Sequence, residues 1–135
     1  MDCPECGTEA VTFAVPADLR EHIPAGEPVV ALCPRCLSFR PAPGAEPGRS
    51  PDSEPAFAAV SDAFPTGKAA VPMALAVGLL DSFALYRADV EALVERVERA
   101  GVDPLLVLDR LAADPTVETG IDIPRRRHQL AQLLE

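Results

Sequence analysis

A chain of 135 residues with 48% hydrophobic residues and a net charge of −9 is too apolar for wholesale disorder. It is also too acidic for a generic polyanion binder, whose phosphate contacts need clustered Lys and Arg. Aromatics are only 4% and Trp is absent, so a core must come from Ala, Val and Leu, which favours helices over a β-sandwich.

Three zones follow in order: residues 1–40, which carry all four cysteines, a Pro-rich linker over 41–55, and residues 56–135, which read as helical. No internal repeat is apparent. In the first zone Thr8–Val15 places Val11, Phe13 and Val15 on one face, the period of a strand that Pro16 ends. A polar excursion with one helical turn closes at Pro24, Gly26 and Pro28. Val29–Leu32 reads as a second strand, and Leu37 and Phe39 alternate into a third.

The helical zone opens near Ser53, a plausible N-cap, with a helix to Phe64. A very apolar helix from Val71 to Tyr86 follows, apolar nearly all round and hence expected at the buried centre, with Pro72 in its first turn. Asp89–Ala100 has Val90, Leu93, Val94 and Val97 as a stripe, Asp89 as cap and Gly101 at its exit. Asp103–Pro104 starts a helix with Leu105, Leu108 and Leu111 at helical spacing, and a last helix runs from Pro124 to Leu134. The fold class is therefore α+β: a small N-terminal lobe of β-hairpins, then a bundle of four or five helices.

Chemistry is concentrated in Cys3, Cys6, Cys33 and Cys36, two C-x2-C pairs separated by twenty-six residues. Two-residue spacing lets both thiolates of a pair reach one ion through a tight turn, and two such knuckles supply the four sulfurs of a tetrahedral zinc site. A proline follows the first cysteine of each pair and stiffens its turn; Gly7 follows the first pair. Residues 1–20 lack a charged start followed by an apolar run, and the longest apolar stretch, Ala69 to Leu80, is shorter than the ~20 residues a bilayer needs. The expected location is the cytoplasm. In that reducing compartment a metal site is expected before two disulfides. No βαβ pattern surrounds either pair, which argues against a thioredoxin-type dithiol.

Iron is the competing metal. Rubredoxins also use two C-x2-C knuckles, and CPECG resembles one of theirs; they pack aromatics around the iron, whereas this zone has only Phe13 and Phe39, and its second knuckle reads CPRCL without the glycine. Four thiolates leave no open coordination position, so the metal is expected to be structural, and His22, the one histidine of the zone, is expected as an exposed loop residue rather than a ligand. The metal would replace the core that a forty-residue lobe cannot build. No Gly-rich phosphate loop, no G-x-S-x-G and no clustered histidines appear, so no catalytic residues and no enzymatic activity are expected.

Residues 1–40 carry six acids and three arginines, which disfavours nucleic acid as a partner of this zone but leaves it as the alternative reading. Helices at 89–100 and 104–113 resemble a helix-turn-helix, yet the second has Arg110 as its only base, so an αα-hairpin is expected. Arg125, Arg126 and Arg127 open the last helix, where the dipole disfavours cations; they read either as a solvated face answering acids or as an anion or partner contact.

The acid excess with a single lysine, Lys68, has the pattern of a halophilic proteome. Together with CPECG, the CPRC knuckle, and the PMALAVGLLDS, ERAGVDPLLVLDRL and RRRHQL blocks, the chain resembles a small, functionally uncharacterised zinc-ribbon family of haloarchaea. The resemblance spans nearly the whole chain. It implies Cys3, Cys6, Cys33 and Cys36 as ligands and brings no known activity or partner. The expected function is a protein-interaction or adaptor module with structural zinc, engaging a protein or a second copy through its helices. The alternatives are a nucleic-acid-associated accessory protein and a rubredoxin-like iron electron carrier.

Overall fold

A computed structural model describes residues 3–23, 26–42 and 64–134. The expected helix from Ser53 to Phe64, apart from Phe64 itself, and most of the 41–55 linker lie outside the described residues.

Three short strands form an antiparallel sheet in the order β1 (Val11–Ala14), β2 (Val29–Leu32), β3 (Phe39–Pro41). In the register, Val11 faces Leu32 and Phe13 faces Val30, so these four side chains share one face of the sheet and all are buried. Val15 extends that face beyond the strand. The first strand is shorter than Thr8–Val15 because the Thr8 carbonyl is used by the Cys3 N–H at 2.8 Å, inside the turn that precedes the strand. The polar excursion holds a short 3-10 helix, Ala17–His22, with Leu19 buried.

Among the described residues four α-helices follow: α1 (Ala70–Leu79), α2 (Arg87–Arg99), α3 (Pro104–Ala113) and α4 (Ile123–Leu133). α1 packs chiefly on α2, and α3 on α4. α1 is buried almost all round, as its sequence requires. It stops at Leu79 instead of continuing to Tyr86. The chain tightens into a 3-10 turn at Leu80–Ser82, where a three-residue period sets Leu80 and Phe83 on one face, and both are buried.

α2 ends in a Schellman motif: the Gly101 N–H reaches the Glu98 carbonyl at 2.9 Å, the Val102 N–H reaches Val97 at 3.3 Å, and Gly101 takes φ +87°. Asp89 does not cap α2. The helix begins at Arg87, and the Asp89 carboxylate instead lies 3.0 Å from His22 Nδ1. α3 and α4 are capped by side chains: Asp103 accepts from the Leu105 N–H at 3.0 Å, and Asp122 from the Arg125 N–H at 3.1 Å. Each cap is followed within two residues by a proline, in the first turn where its missing N–H is harmless.

One hydrophobic cluster runs through sheet and helices alike, from Val11, Phe13, Val30 and Leu32 to Leu75, Val94, Leu108 and Leu130. Gly78 shows how closely the two parts approach. A Cβ at this position would lie 2.5 Å from the ring of Phe39, so the glycine inside α1 is the hole that receives the β3 aromatic. Polar ties cross the same boundary: Arg96 to Asp18 at 2.8 Å, His22 to Asp89, and Arg35 to Glu118 at 2.7 Å. No helix among the described residues is long and apolar enough to cross a membrane.

Candidate metal centre

Sheet register assembles the site. The first cysteine pair precedes β1, and the second lies between β2 and β3. Because Val11 pairs with Leu32, the start of β1 and the end of β2 fall at the same end of the sheet, and both knuckles meet there.

Each knuckle is a tight turn built the same way. In the first, Gly7 N–H donates to Cys3 O at 2.8 Å and Cys3 N–H to Thr8 O at 2.8 Å; in the second, Leu37 N–H donates to Cys33 O at 3.0 Å and Cys33 N–H to Ser38 O at 2.9 Å. Equivalent positions have equivalent backbone. Gly7 takes φ +75° and Leu37 takes φ +62°. A leucine in the left-handed region costs about 1–2 kcal/mol relative to an ordinary backbone. Here the residue is 1% exposed and belongs to the main core, so burial of its side chain, typically about 1.5–3 kcal/mol, offsets that cost. Leu37 is thus a turn residue and not part of a third strand, which starts at Phe39.

The four Sγ atoms lie within 4.8 Å of one another, and among the described residues this is the group of donors that can hold a metal ion. Individual separations are 3.6 Å for Cys3–Cys36, 3.4 Å for Cys6–Cys33 and 3.8 Å for Cys6–Cys36. Four thiolates at ~2.3 Å around one ion in a tetrahedron would stand about 3.8 Å apart, so the cluster has the dimensions such an ion needs. None of the cysteines is paired in a disulfide. Cys3 and Cys33 are buried, Cys36 is half-buried and Cys6 is exposed, so the cluster has an inner and an outer side.

Two hydroxyls complete it. Ser38 Oγ lies 3.2 Å from Cys3 Sγ and 3.4 Å from Cys36 Sγ, and Thr8 Oγ1 lies 3.4 Å from Cys6 Sγ. Toward a deprotonated sulfur each hydroxyl is a donor, the usual way a ligand is oriented from behind. The Ser38 hydroxyl is the main reason the Cys3 thiol is pulled from 9.0 down to about 6, against the opposing effect of burial. The Thr8 side chain likewise lowers Cys6. Burial pushes Cys33 up to about 12. The inner thiol of the second knuckle therefore resists ionising unless a cation compensates it.

Sequence reasoning placed all four cysteines but missed Thr8 and Ser38. A signal was present: CPECGT (3–8) and CPRCLS (33–38) are one six-residue pattern repeated thirty residues on, each closing on a hydroxyl residue. The tether behind the second knuckle was also missed. Arg35 donates through Nε and a terminal nitrogen to Glu118 Oε2, and the Glu118 N–H donates to the Arg35 carbonyl at 2.7 Å, tying the knuckle to the loop between α3 and α4.

His22 is not part of the sulfur cluster. It is also not a free loop residue, since it ends the 3-10 helix and packs half-buried against Asp89. The three arginines of α4 divide: Arg127 forms an ion pair with Asp109 of α3 at 2.7 Å, Arg126 donates to Gln129 at 2.9 Å, and Arg125 is exposed.

The chain belongs to a family of unknown function, DUF6276, whose profile matches residues 2–134. No curated protein and no solved structure matches it.

Proposed function

We propose that the protein is a zinc-binding interaction module, in which Cys3, Cys6, Cys33 and Cys36 hold a structural zinc ion and the helices present a surface to a protein partner or to a second copy. The observation that carries the metal reading is the four-sulfur cluster with its two supporting hydroxyls. Zinc is favoured over iron because the zone has just two aromatics, Phe13 and Phe39, and Phe13 is fully buried in the core shared with the helices. Four thiolates fill a tetrahedral shell, which supports a structural rather than catalytic ion and a protein that is not an enzyme.

Support for a partner comes from the turn between α1 and α2. Leu85 is 77% exposed there, and a neighbouring groove of about 450 Å³ is lined by Phe83, Arg87, Arg126, Gln129 and Leu133. An exposed leucine beside a mixed groove, where Ala84 and Leu133 stand among two arginines and two glutamines, has an apolar anchor and the polar surroundings of an interface rim. The expected setting is the cytoplasm of a salt-adapted cell, in keeping with the −9 net charge, and stability that rises with KCl would support it.

Elemental analysis of purified protein should give one zinc per chain. A red protein with thiolate-to-iron absorption would replace this reading with an iron carrier. Cross-linking and co-purification at molar KCl, with and without nuclease, should capture a partner or a second copy by wild type but not by Leu85→Glu. Capture that nuclease abolishes would favour the nucleic-acid alternative.

A further inference from the structure

A second site lies away from the cysteines, in a cleft of about 380 Å³ between the start of α1, the end of α2 and the 3-10 helix. Its walls combine an apolar floor with a cationic rim. Leu19, Val71 and Pro72 supply the floor; Lys68, Arg96 and Arg99 supply the charge. Every charged side chain lining the cleft is a cation, in a chain whose net charge is −9 and whose single lysine is the one placed here.

These cations are available. Lys68 is exposed and forms no ion pair among the described residues. Arg96 spends one terminal nitrogen on Asp18, and Arg99 one on Glu95; both carboxylates are more than half exposed, so these pairs are weakly held and leave other guanidinium donors free. The backbone adds to the positive potential. The 3-10 turn at Gly67–Ala69 runs directly into α1 and receives no side-chain cap, so the amino end of this continuous segment lies beside Lys68.

We propose that this cleft binds a small amphiphilic anion, a carboxylate or phosphate monoester with a short apolar tail. The head group would sit among Lys68, Arg96 and Arg99, and the tail on Leu19, Val71 and Pro72. A volume of about 380 Å³ is at the lower end of ligand pockets, which suits a chain of a few carbons rather than a nucleotide. The inference is independent of the metal assignment.

The test is titration of the whole chain as purified with octanoate, octyl phosphate, 1-octanol and octyltrimethylammonium, followed through the amide NMR signals of Gly67, Val71 and Ala100. Saturable shifts at these amides are expected with one or both anions at about 1 mM or below, and binding of the alcohol and the cation at least about tenfold weaker. Lys68→Met and Arg99→Met, both at exposed positions, should each weaken the anion about tenfold while leaving the melting temperature unchanged. Arg110→Met, on α3, should leave it unaltered. Equal affinity for 1-octanol, affinity indifferent to both cleft substitutions, shifts confined to other parts of the molecule, or no saturable shift with either anion would each overturn the proposal.

Discussion

The two knuckles share a backbone and differ in the way they face. Both turns carry the same hydrogen bonds, a proline after the first cysteine and a left-handed residue after the second. The first faces outward: Cys6 and Gly7 are exposed, and a Cβ at Gly7 would meet nothing within 4 Å. The second faces inward, with Cys33 and Leu37 buried and Arg35 tied across to Glu118. The repeated six-residue motif is enough to place sulfurs, and the residue in the left-handed position decides which knuckle becomes part of the core. A glycine there asks nothing of its surroundings. A leucine is tolerable only where the core can repay its backbone strain.

The sharpest way to break this comparison is to remove one sulfur from each turn. Cys33→Ser and Cys6→Ser should both abolish stoichiometric metal binding, read by elemental analysis. Cys33→Ser should also melt the sheet and lower the melting temperature more, because it places a hydroxyl in a buried position facing an incomplete site. Equal loss of stability from the two would mean that the inward and outward knuckles are energetically alike.

The next largest contrast is at the left-handed residues. Leu37→Ala keeps the backbone strain and loses the buried side chain, so chemical denaturation should show about 2–5 kcal/mol of destabilisation. Leu37→Gly relieves the strain and should recover part of that loss. Gly7→Ala should cost about 1–2 kcal/mol, from the backbone alone.

Thiol ionisation separates the knuckles in metal-free protein. Cys3 is lowered to about 6, so relative to the unfolded chain it favours the fold fully above the ordinary thiol value of 9.0, and this contribution fades as pH falls through about 6. Cys33 is raised to about 12, so it favours the fold below 9.0 and the contribution fades as pH rises toward about 12. Stability arising from these two groups should therefore peak near pH 9 and decline on both sides, measured as melting temperature across pH in the presence of a chelator. At pH 7, alkylation followed by mass spectrometry should modify exposed Cys6 first and Cys33 last.

The smallest effect belongs to the tether. Arg35 and Glu118 are largely exposed, so Arg35→Ala should lower the melting temperature by about 2 °C or less. A much larger drop would mean that the tether, not the core around Leu37, anchors the second knuckle.

Much of this was legible in the residues. C-x2-C spacing named the four sulfurs, the short apolar run Val29–Leu32 before the second pair named β2 to the residue, and Asp103–Pro104 marked the start of α3, because in each case the cause is local: reach of a turn, a short apolar run, a side chain accepting from its own helix. Where the reading failed, the cause came from elsewhere in the chain. Asp89 had the right type for a cap, but the helix begins two residues before it, at Arg87, and a histidine sixty-seven residues away engages its carboxylate. The apolar run after Val71 had no internal stop signal, and packing of Leu80 and Phe83 on the core cut it into a helix and a turn.

By itself, then, the sequence determined the candidate donor set, the order of strands and helices, and the acidic character, since spacing, periodicity and charge are properties of neighbouring residues. Tertiary structure alone decided that the sheet and the helices share one core through Phe39 and Gly78, that Leu37 is held left-handed by burial, and that Lys68 stands with Arg96 and Arg99 around one cleft. Those are contacts between residues far apart in the chain, and their energies depend on how the surrounding surfaces fit, which no local pattern encodes.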